Sequence, residues 1–304
     1  MVELVRQRNA IPGLSAPTTS DLAVLKPFQL ASSNDKLNQI AFCEWLGNRS
    51  PSHMVLFLLL FVLVSFPALA AGGYGIEKAM DALFRWMPFL LSKGFLFNVL
   101  ISVLVMLIGT AVGALVGLGQ ISLFKPLRIF CWSITQFFRN SPWLVLLFIV
   151  MLAFPFEINI GGLTIPVPDW MKAVIGLSLP IMANIAEIVR GAVQSVPTGQ
   201  WEAAESLAFS RTKTLWQIIL PQCFKRMIPP WMNWYAILTM ATPLVSILGV
   251  EDILRLSRDA MEAEGNNPAL LMPFYSFILI LFFIYCYPIA KWTQRLERKF
   301  NVKT

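Results

Sequence analysis

The chain has 304 residues, of which 57% are apolar and only 13% are charged, whereas soluble proteins carry roughly 45–50% apolar and about 25% charged residues. This balance excludes an ordinary soluble enzyme and favours a helical membrane protein, because the apolar residues form runs close to the ~20 residues that cross a bilayer. The net charge of +7 then indicates Lys and Arg retained on one side of a membrane rather than a nucleic-acid partner.

Residue types that build metal sites and catalytic centres are scarce. The chain has one histidine, His53, and four cysteines that lie far apart without a CxxC spacing. We therefore expect no metal site, and neither a redox dithiol enzyme nor a histidine-dependent membrane enzyme is favoured. No Gly-Lys dipeptide occurs, so the P-loop lysine is missing. Any ATP and Mg²⁺ that drive the protein must therefore bind to another polypeptide, and we expect no cofactor on this chain.

Residues 1–53 mix Asn, Ser, Thr and Pro with charges of both signs and show no sustained periodicity. This composition predicts a disordered cytoplasmic extension. The next run ends in Ala68-Leu69-Ala70, which is similar to a signal-peptide cleavage site. Because 53 residues precede this run, we expect an uncleaved transmembrane span. A cleaved signal peptide would be considered again only if translation started at Met54. Charge-poor runs predict an all-α membrane protein with about six transmembrane helices, at about 54–71, 94–119, 140–156, 173–190, 227–250 and 265–290.

The distribution of Lys and Arg predicts the side of the membrane on which each loop lies. With both termini on one side, that side carries 18 Lys and Arg and the other side carries 6. Because positive residues are retained in the cytoplasm, both termini are predicted to be cytoplasmic. Residues 54–91 then form the first span and an outside loop, residues 292–304 form a basic cytoplasmic tail, and the loop from Arg190 to Arg226 is cytoplasmic.

This long loop predicts two short helices at the membrane surface. A Pro-Thr-Gly turn precedes a run of good helix formers in which Trp201, Ala204 and Ala208 share one face. A second amphipathic stretch extends over 212–219, and Pro221 is expected to end it before the chain re-enters the bilayer.

At this loop the sequence resembles a known family. Glu202-Ala203-Ala204 followed by Ile218-Ile219-Leu220-Pro221 is similar to the EAA loop of bacterial ABC importer permeases. The segments AEIVRGAVQSVPTGQWEAAESL, IILPQCFKRMIPP and LVSILGVEDILR resemble the polar amino acid permeases, which include histidine and glutamine uptake systems, and FFRNSPWLVLLF is similar to their FRGTP segment. The resemblance extends over about residues 92–300, with its motifs in order.

The resemblance implies a type I ABC importer permease fold over residues 92–291, in a bacterial inner membrane. The EAA loop, at about 197–221, would be a coupling helix whose apolar face, formed by Trp201 and Ala204, enters a groove on a cytoplasmic ATPase. The implied partners are a second permease subunit, two ATPase subunits that bind ATP, and an extracytoplasmic binding protein that delivers a polar amino acid or related solute. The implied coupling residues are Gln200, Trp201, Glu202, Ala203, Ala204, Ala208, Leu220 and Pro221.

The chain departs from the family pattern at position 208, where alanine replaces glycine. If the family glycine serves a turn with positive φ, Ala208 strains that turn by roughly 1 kcal/mol. Otherwise the two helices are joined in a different way.

The fifth predicted span, NWYAILTMATPLVS, lacks the charges that many relatives carry there. Because intramembrane charges often mark a substrate path, we hypothesise an apolar wall of the path that is dotted with polar groups. Its candidate residues are Asn233, Thr239, Thr242 and Ser246. In the alternative, the hydroxyl groups bond to their own helix backbone while a proline kinks the span.

Glu187 and Arg190 lie three residues apart and share a helix face near the end of the fourth predicted span. They either gate the inner mouth of the path or form a local ion pair. A secondary transporter or channel for small solutes is the alternative function. It would require intramembrane ionisable residues or an inverted repeat, and the spans show few of the former and no sign of the latter.

Overall fold

The computed structural model describes residues 75–160 and 163–300. The predicted extension 1–53 and the predicted first span 54–71 lie outside these residues. The helices are α1 (Ile76–Phe89), α2 (Leu96–Gln120), α3 (Lys125–Arg139), α4 (Trp143–Ala153), α5 (Asp169–Gln194), α6 (Thr198–Ser206), α7 (Arg211–Lys213), α8 (Leu220–Ala241), α9 (Ile253–Ala263) and α10 (Leu271–Phe300). The remaining regular elements are π-helical turns at Leu90–Phe95 and Thr214–Ile219, 3₁₀ segments at Thr242–Leu248 and Pro268–Leu270, and strands β1 (Glu157–Ile160) and β2 (Leu163–Pro166).

Five helical segments match the last five of the six predicted spans. Four of them are long and apolar enough to cross a membrane, namely Glu77–Gln120, Asp169–Gln194, Arg211–Leu248 and Pro268–Phe300. The fifth is the pair α3 and α4, which meet at an angle of 106°. Pro142 directly precedes α4, and proline cannot continue a helix because it lacks the backbone N–H. The predicted span over 140–156 is therefore one half of a broken helix.

The segment before α2 is helical, although the charges of residues 72–91 predicted an outside loop. Helix α1 is amphipathic, and its buried face consists of Ala79, Ala82 and Leu83. This face packs against residues of α9 and α10. In addition, Trp86 Nε1 donates to Glu264 Oε1 at 3.0 Å. The charges lie on the exposed side of a helix whose other side is covered, and the side of the membrane on which α1 lies stays a prediction.

The central contact of the fold joins α2 to α5. Gly109, Gly113 and Gly117 form a stripe along α2 that faces α5. A Cβ atom on Gly113 would lie 2.6 Å from the carbonyl oxygen of Met182, so only glycine permits this separation of the two backbones. The close approach buries most of α5, including Ile181, and places α5 at the centre of the main apolar core.

A buried polar cluster joins α2 to the start of α9. Asp252 is the N-cap of α9, and its Oδ1 accepts a hydrogen bond from the backbone N–H of Arg255 at 2.9 Å. Asn98 Nδ2 donates to Asp252 Oδ2 at 3.3 Å and to Thr242 Oγ1 at 3.1 Å, while Asn98 Oδ1 accepts from the N–H of Ile253 at 3.1 Å. Asn98, Thr242 and Asp252 are fully buried. Burial raises the pKa of the Asp252 carboxyl to about 6, against the opposing effect of these hydrogen bonds.

Helix α8 continues directly from α7 through the π-helical turn Thr214–Ile219. Pro221 lies in the first turn of α8 and does not end a helix, contrary to the sequence prediction. Proline donates no backbone hydrogen bond, and it is tolerated here because the hydrogen-bond pattern changes between the π-helical turn and α8. The wider turn before Pro221 changes the hydrogen-bond register and lets one continuous segment, Arg211–Leu248, enter the span.

Candidate functional site

Helix α6 contains the EAA sequence and ends in a Schellman motif. The N–H of Ala208 donates to the carbonyl oxygen of Glu205 at 2.9 Å, and the N–H of Phe209 donates to that of Ala204 at 3.0 Å. This motif requires a left-handed residue at the position of Ala208, which has a φ of 57°. The strain predicted for an alanine that replaces the family glycine is therefore present, and the alternative of a differently joined pair of helices does not apply.

The apolar face of α6 is turned inward, toward the rest of the chain. Ala204 is 2% exposed, and Trp201 packs on a cluster that includes Val196, Ile219 and Cys223. We expected Trp201 and Ala204 to form the face that enters a groove on a partner. The structure corrects this expectation, because an amphipathic helix buries its apolar face on the nearest apolar surface, and here the ends of α5 and α8 provide it.

The outward face of α6 is polar or small. Glu202 and Ala203 are exposed there, and Leu207 follows at the end of the helix with 72% of its surface exposed. Ala208 is also exposed. These are the residues of the loop that a partner protein can contact without displacing α6 from the chain.

Hydrogen bonds tie the loop to the first turns of α8. Gln222 Nε2 donates to Gln200 Oε1 at 3.4 Å. Arg226 Nη1 donates to the carbonyl oxygen of Ser195 at 2.7 Å, just after the end of α5. Leu220 is half-buried in the apolar cluster beneath α6, and Pro221 is exposed. The predicted coupling residues thus separate into an outward set on α6 and a supporting set beneath it.

The hydroxyl groups predicted to line a substrate path are buried inside the chain. Thr239 Oγ1 donates to the carbonyl oxygen of Tyr235, Thr242 Oγ1 to that of Thr239, and Ser246 Oγ to that of Pro243, at 2.8–2.9 Å. These side chains are 0–3% exposed, and the bonds follow the alternative in which hydroxyl groups satisfy their own backbone.

Only Asn233 of the four predicted path residues is exposed. Trp231 and Trp234 flank it on α8. Trp231 Nε1 donates to Thr110 Oγ1 at 2.8 Å, and the Trp234 ring stacks on Trp143 with 6.4 Å between the ring centroids. The surface that α8 presents at this level is therefore aromatic rather than lined by hydroxyl groups.

Glu187 and Arg190 form the predicted ion pair near the end of α5. Arg190 Nε donates to Glu187 Oε2 at 3.1 Å, and Arg190 Nη1 donates to Gln194 Oε1 at 2.7 Å. Arg139, at the end of α3, adds a second positive group 3.8 Å from Glu187 Oε1. The arrangement joins the broken span α3–α4 to α5 and contains the ion pair that the spacing predicts, while a gating role for it stays a prediction.

Within residues 75–160 and 163–300, no group of three or more His, Cys, Asp and Glu side chains has the geometry to hold a metal ion.

Residues 109–299 match the family described as "Binding-protein-dependent transport system inner membrane component". This match extends over more than half of the chain. The chain belongs to this family. Family membership decides between the classes that the sequence left open: the protein is a multi-pass inner-membrane component of a transport system, and neither an enzyme nor a secondary transporter.

Curated relatives include a probable amino-acid ABC transporter permease protein, YckA of Bacillus subtilis, which is 34% identical over 209 residues, or 68% of this chain and 88% of that protein. The L-cystine transport system permease protein TcyB of the same species is 29% identical over 70% of this chain and 87% of that protein. The inner membrane amino-acid ABC transporter permease protein YhdY of Escherichia coli is 32% identical over 62% of this chain, but the match spans half the length of YhdY.

Solved structures show the same fold. A crystal structure of an amino acid ABC transporter with histidines has a TM-score of 0.61 at 24% identity and covers 71% of this chain and 96% of that chain. An inward-facing structure of the MetNI methionine ABC transporter has a TM-score of 0.56 at 16% identity and covers 70% of this chain and 97% of that chain. The described helices of this chain thus have the fold of an ABC importer permease.

Sequence reasoning missed the cluster of Asn98, Thr242 and Asp252 and the inward direction of the α6 apolar face. One signal was present for the cluster: a lone asparagine in the apolar run of α2 requires a buried partner. The sequence does not indicate that this partner lies 154 residues away in the chain.

Proposed function

We propose that this chain is a membrane subunit of an ATP-driven importer for polar amino acids or related small solutes. The relatives whose names specify amino acids, cystine, arginine or glutamine support this class of solute. The importer would consist of two permease subunits, two cytoplasmic ATPase subunits that hold ATP and Mg²⁺, and an extracytoplasmic binding protein. The excess of Lys and Arg on one side, 18 against 6, supports a cytoplasmic location of both termini and of α6.

In this proposal the permease domain occupies residues 92–291 and follows an additional first span. The outward face of α6 is the ATPase contact, and Glu202, Ala203 and Leu207 form its centre. The observation that carries the proposal is the division of α6 into an inward face packed on α5 and α8 and an exposed outward face. ATP binding draws the two ATPase subunits together, and α6 transmits this movement to the spans as a rigid-body change between two states.

The test is a pair of alanine-to-tryptophan substitutions at exposed helical positions on opposite sides of the membrane. A203W places a bulky ring on the outward face of α6, and A263W places the same ring at the end of α9. We expect A203W to abolish co-purification of the ATPase subunit and ATP-driven uptake, while A263W keeps the ATPase bound. E202A tests the same face without added bulk and should weaken ATPase binding. Unchanged ATPase binding by A203W would refute the coupling role of α6.

A further inference from the structure

A polar cavity of about 370 Å³ lies behind α6, on the side opposite its outward face. Residues of the ends of α2 and α5, the start of α3, helix α6 and the segment from α7 into the π-helical turn line it. By the proposed orientation, the cavity opens at the cytoplasmic surface of the membrane.

The charge of this cavity is positive. Arg128 of α3 and Arg211 of α7 line it, and none of its lining residues is acidic. Neither guanidinium group forms a salt bridge in the part of the chain that the structure describes. Arg211 lies over the ring of Trp201, with Cζ 5.3 Å from the ring centroid. Two arginines that share a cavity without a carboxylate are suited to a phosphate group, which a guanidinium fork can bind in bidentate fashion.

A buried acceptor in the wall of the cavity lacks a donor. Gln120 lines the cavity and is 4% exposed. Its Nε2 donates to Thr135 Oγ1 at 2.7 Å, and the Thr135 hydroxyl donates to the carbonyl oxygen of Cys131 at 2.9 Å. Because the hydroxyl hydrogen of Thr135 is used in the bond to Cys131, the hydroxyl oxygen can only accept from Gln120. This fixes which end of the Gln120 amide faces Thr135. Gln120 Oε1 then has no partner among the described residues and is itself buried, so the polar wall of the cavity is held by the bond between Gln120 and Thr135.

Exposed apolar side chains neighbour Arg128 in α3 and just before it. Phe124 and Leu127, beside Arg128, are 65% and 42% exposed. Acyl chains can cover such surface while a headgroup occupies the cavity.

We propose that this cavity binds a phosphate ester. Arg128 and Arg211 bind its phosphate. The ester is either the headgroup of an anionic phospholipid or a free phosphate ester, and the two sources are separable by experiment. A ligand here joins α3 to α6 and α7 and so holds the coupling helix against the membrane domain. This role rests on the proposed function.

The experiment is a titration of the purified full-length chain in neutral detergent. The probes are short-chain phosphatidylglycerol, the matching phosphatidylcholine and glycerol phosphate, with binding followed by the thermal midpoint and by native mass spectrometry. We expect saturable binding of phosphatidylglycerol and none of phosphatidylcholine. R128Q/R211Q should weaken phosphatidylglycerol binding about tenfold or more. Competition by glycerol phosphate assigns the site to free esters as well, and its absence assigns the site to lipid alone.

The matched control is K125Q/K213Q, which removes the same charge from the same two helices outside the cavity lining. It should retain binding within about twofold, because neither lysine lines the cavity. Equal losses in the two double variants, or wild-type binding by R128Q/R211Q, would overturn the proposal. If R128Q/R211Q does not fold, R128K/R211K keeps the charge, loses the bidentate fork and should show an intermediate loss. The titration requires neither ATPase nor uptake, so its failure is distinguishable from failure of the coupling proposal.

Discussion

Asp252 and Asn98 form a complementary pair whose side chains can be exchanged. In D252N, the new side chain still accepts from the N–H of Arg255 through its oxygen, but its NH₂ group faces the NH₂ group of Asn98, 3.3 Å away in the native pair. A buried donor left without an acceptor costs about 1–3 kcal/mol. In N98D, two carboxylates face each other in a buried site, and the loss is larger.

The exchange N98D/D252N restores the pair with its polarity reversed. The carboxylate at position 98 accepts from the N–H of Ile253 and from the new amide at position 252, which still caps α9 because Asn and Asp are equally good N-caps. Only the hydrogen bond to Thr242 Oγ1 is lost. We therefore expect the double variant to be more stable than the sum of the two single losses predicts, by at least about 1 kcal/mol.

The raised pKa of Asp252 adds a pH dependence with a defined sign. The carboxyl has a pKa of about 6 in the folded chain and 3.8 as the reference value, so the folded state binds the proton more tightly than the unfolded state. Between about pH 4 and pH 6 the unfolded state loses its proton first, and stability falls as the pH rises. The difference in pKa corresponds to about 3 kcal/mol in total, which is present as a cost above pH 6 and absent below pH 4. D252N should lack this slope.

The assay is the thermal midpoint of the purified full-length chain in detergent at pH 4, 5, 6 and 7. For a chain of this size about 1 kcal/mol corresponds to ~2–4 °C, so the slope and the rescue are both measurable. Additive losses in N98D/D252N would show that the carboxylate and the amide do not interact. A pH slope in D252N equal to that of the wild type would show that the titrating group is elsewhere.

Two further substitutions test local geometry by the same midpoint measurement. A208G should stabilise the chain by up to about 1 kcal/mol, because glycine relieves the left-handed strain at the end of α6. The control A203G, within the same helix, should destabilise the chain by about 1 kcal/mol. A loss of stability in A208G would contradict the Schellman geometry. G113A should destabilise the chain by about 1–3 kcal/mol, because its Cβ would lie 2.6 Å from the backbone of α5. The control G191A has open space around the new Cβ and should raise stability through the higher helix propensity of alanine. A neutral G113A would mean that α2 and α5 are farther apart.

Hydropathy was sufficient to predict four of the five spans in the described part of the chain, because a run of apolar residues long enough to cross a bilayer has few alternatives. It did not show that the remaining one, at 140–156, is half of a pair bent by 106°. It gave no signal for the helix α1, where Glu77, Lys78, Asp81 and Arg85 interrupt the apolar residues. That helix exists because its apolar face is covered by α9 and α10, and no local signal shows that these distant elements are adjacent. Tertiary contact decides the structure of such a segment.

The candidate site shows the same limit at the level of side chains. The spacing of Trp201 and Ala204 correctly predicted a shared apolar face, whereas Ala208, which was assigned to the same face, lies beyond the end of α6 and is exposed. Periodicity gives no information on whether this chain or a partner covers that face. The prediction for Pro221 failed because a π-helical turn, which depends on packing as well as on sequence, shifts the hydrogen-bond register just before it. Local spacing was sufficient for the ion pair of Glu187 and Arg190, because residues three apart on a helix are neighbours in any environment.

The inward packing of α6 strengthens the case for a mechanical role. A helix attached to the protein only through its loops would move without the transmembrane helices when a partner displaced it. Trp201 instead packs on the ends of α5 and α8, Ala204 is buried, and closely packed interiors transmit displacement rather than absorb it. Movement of α6 is therefore delivered to α5, whose backbone is in close contact with α2 along the glycine stripe, and to α8 at the same time. A force applied to the exposed face at Ala203 thus reaches three of the four long spans, those that contain α2, α5 and α8, through closely packed contacts.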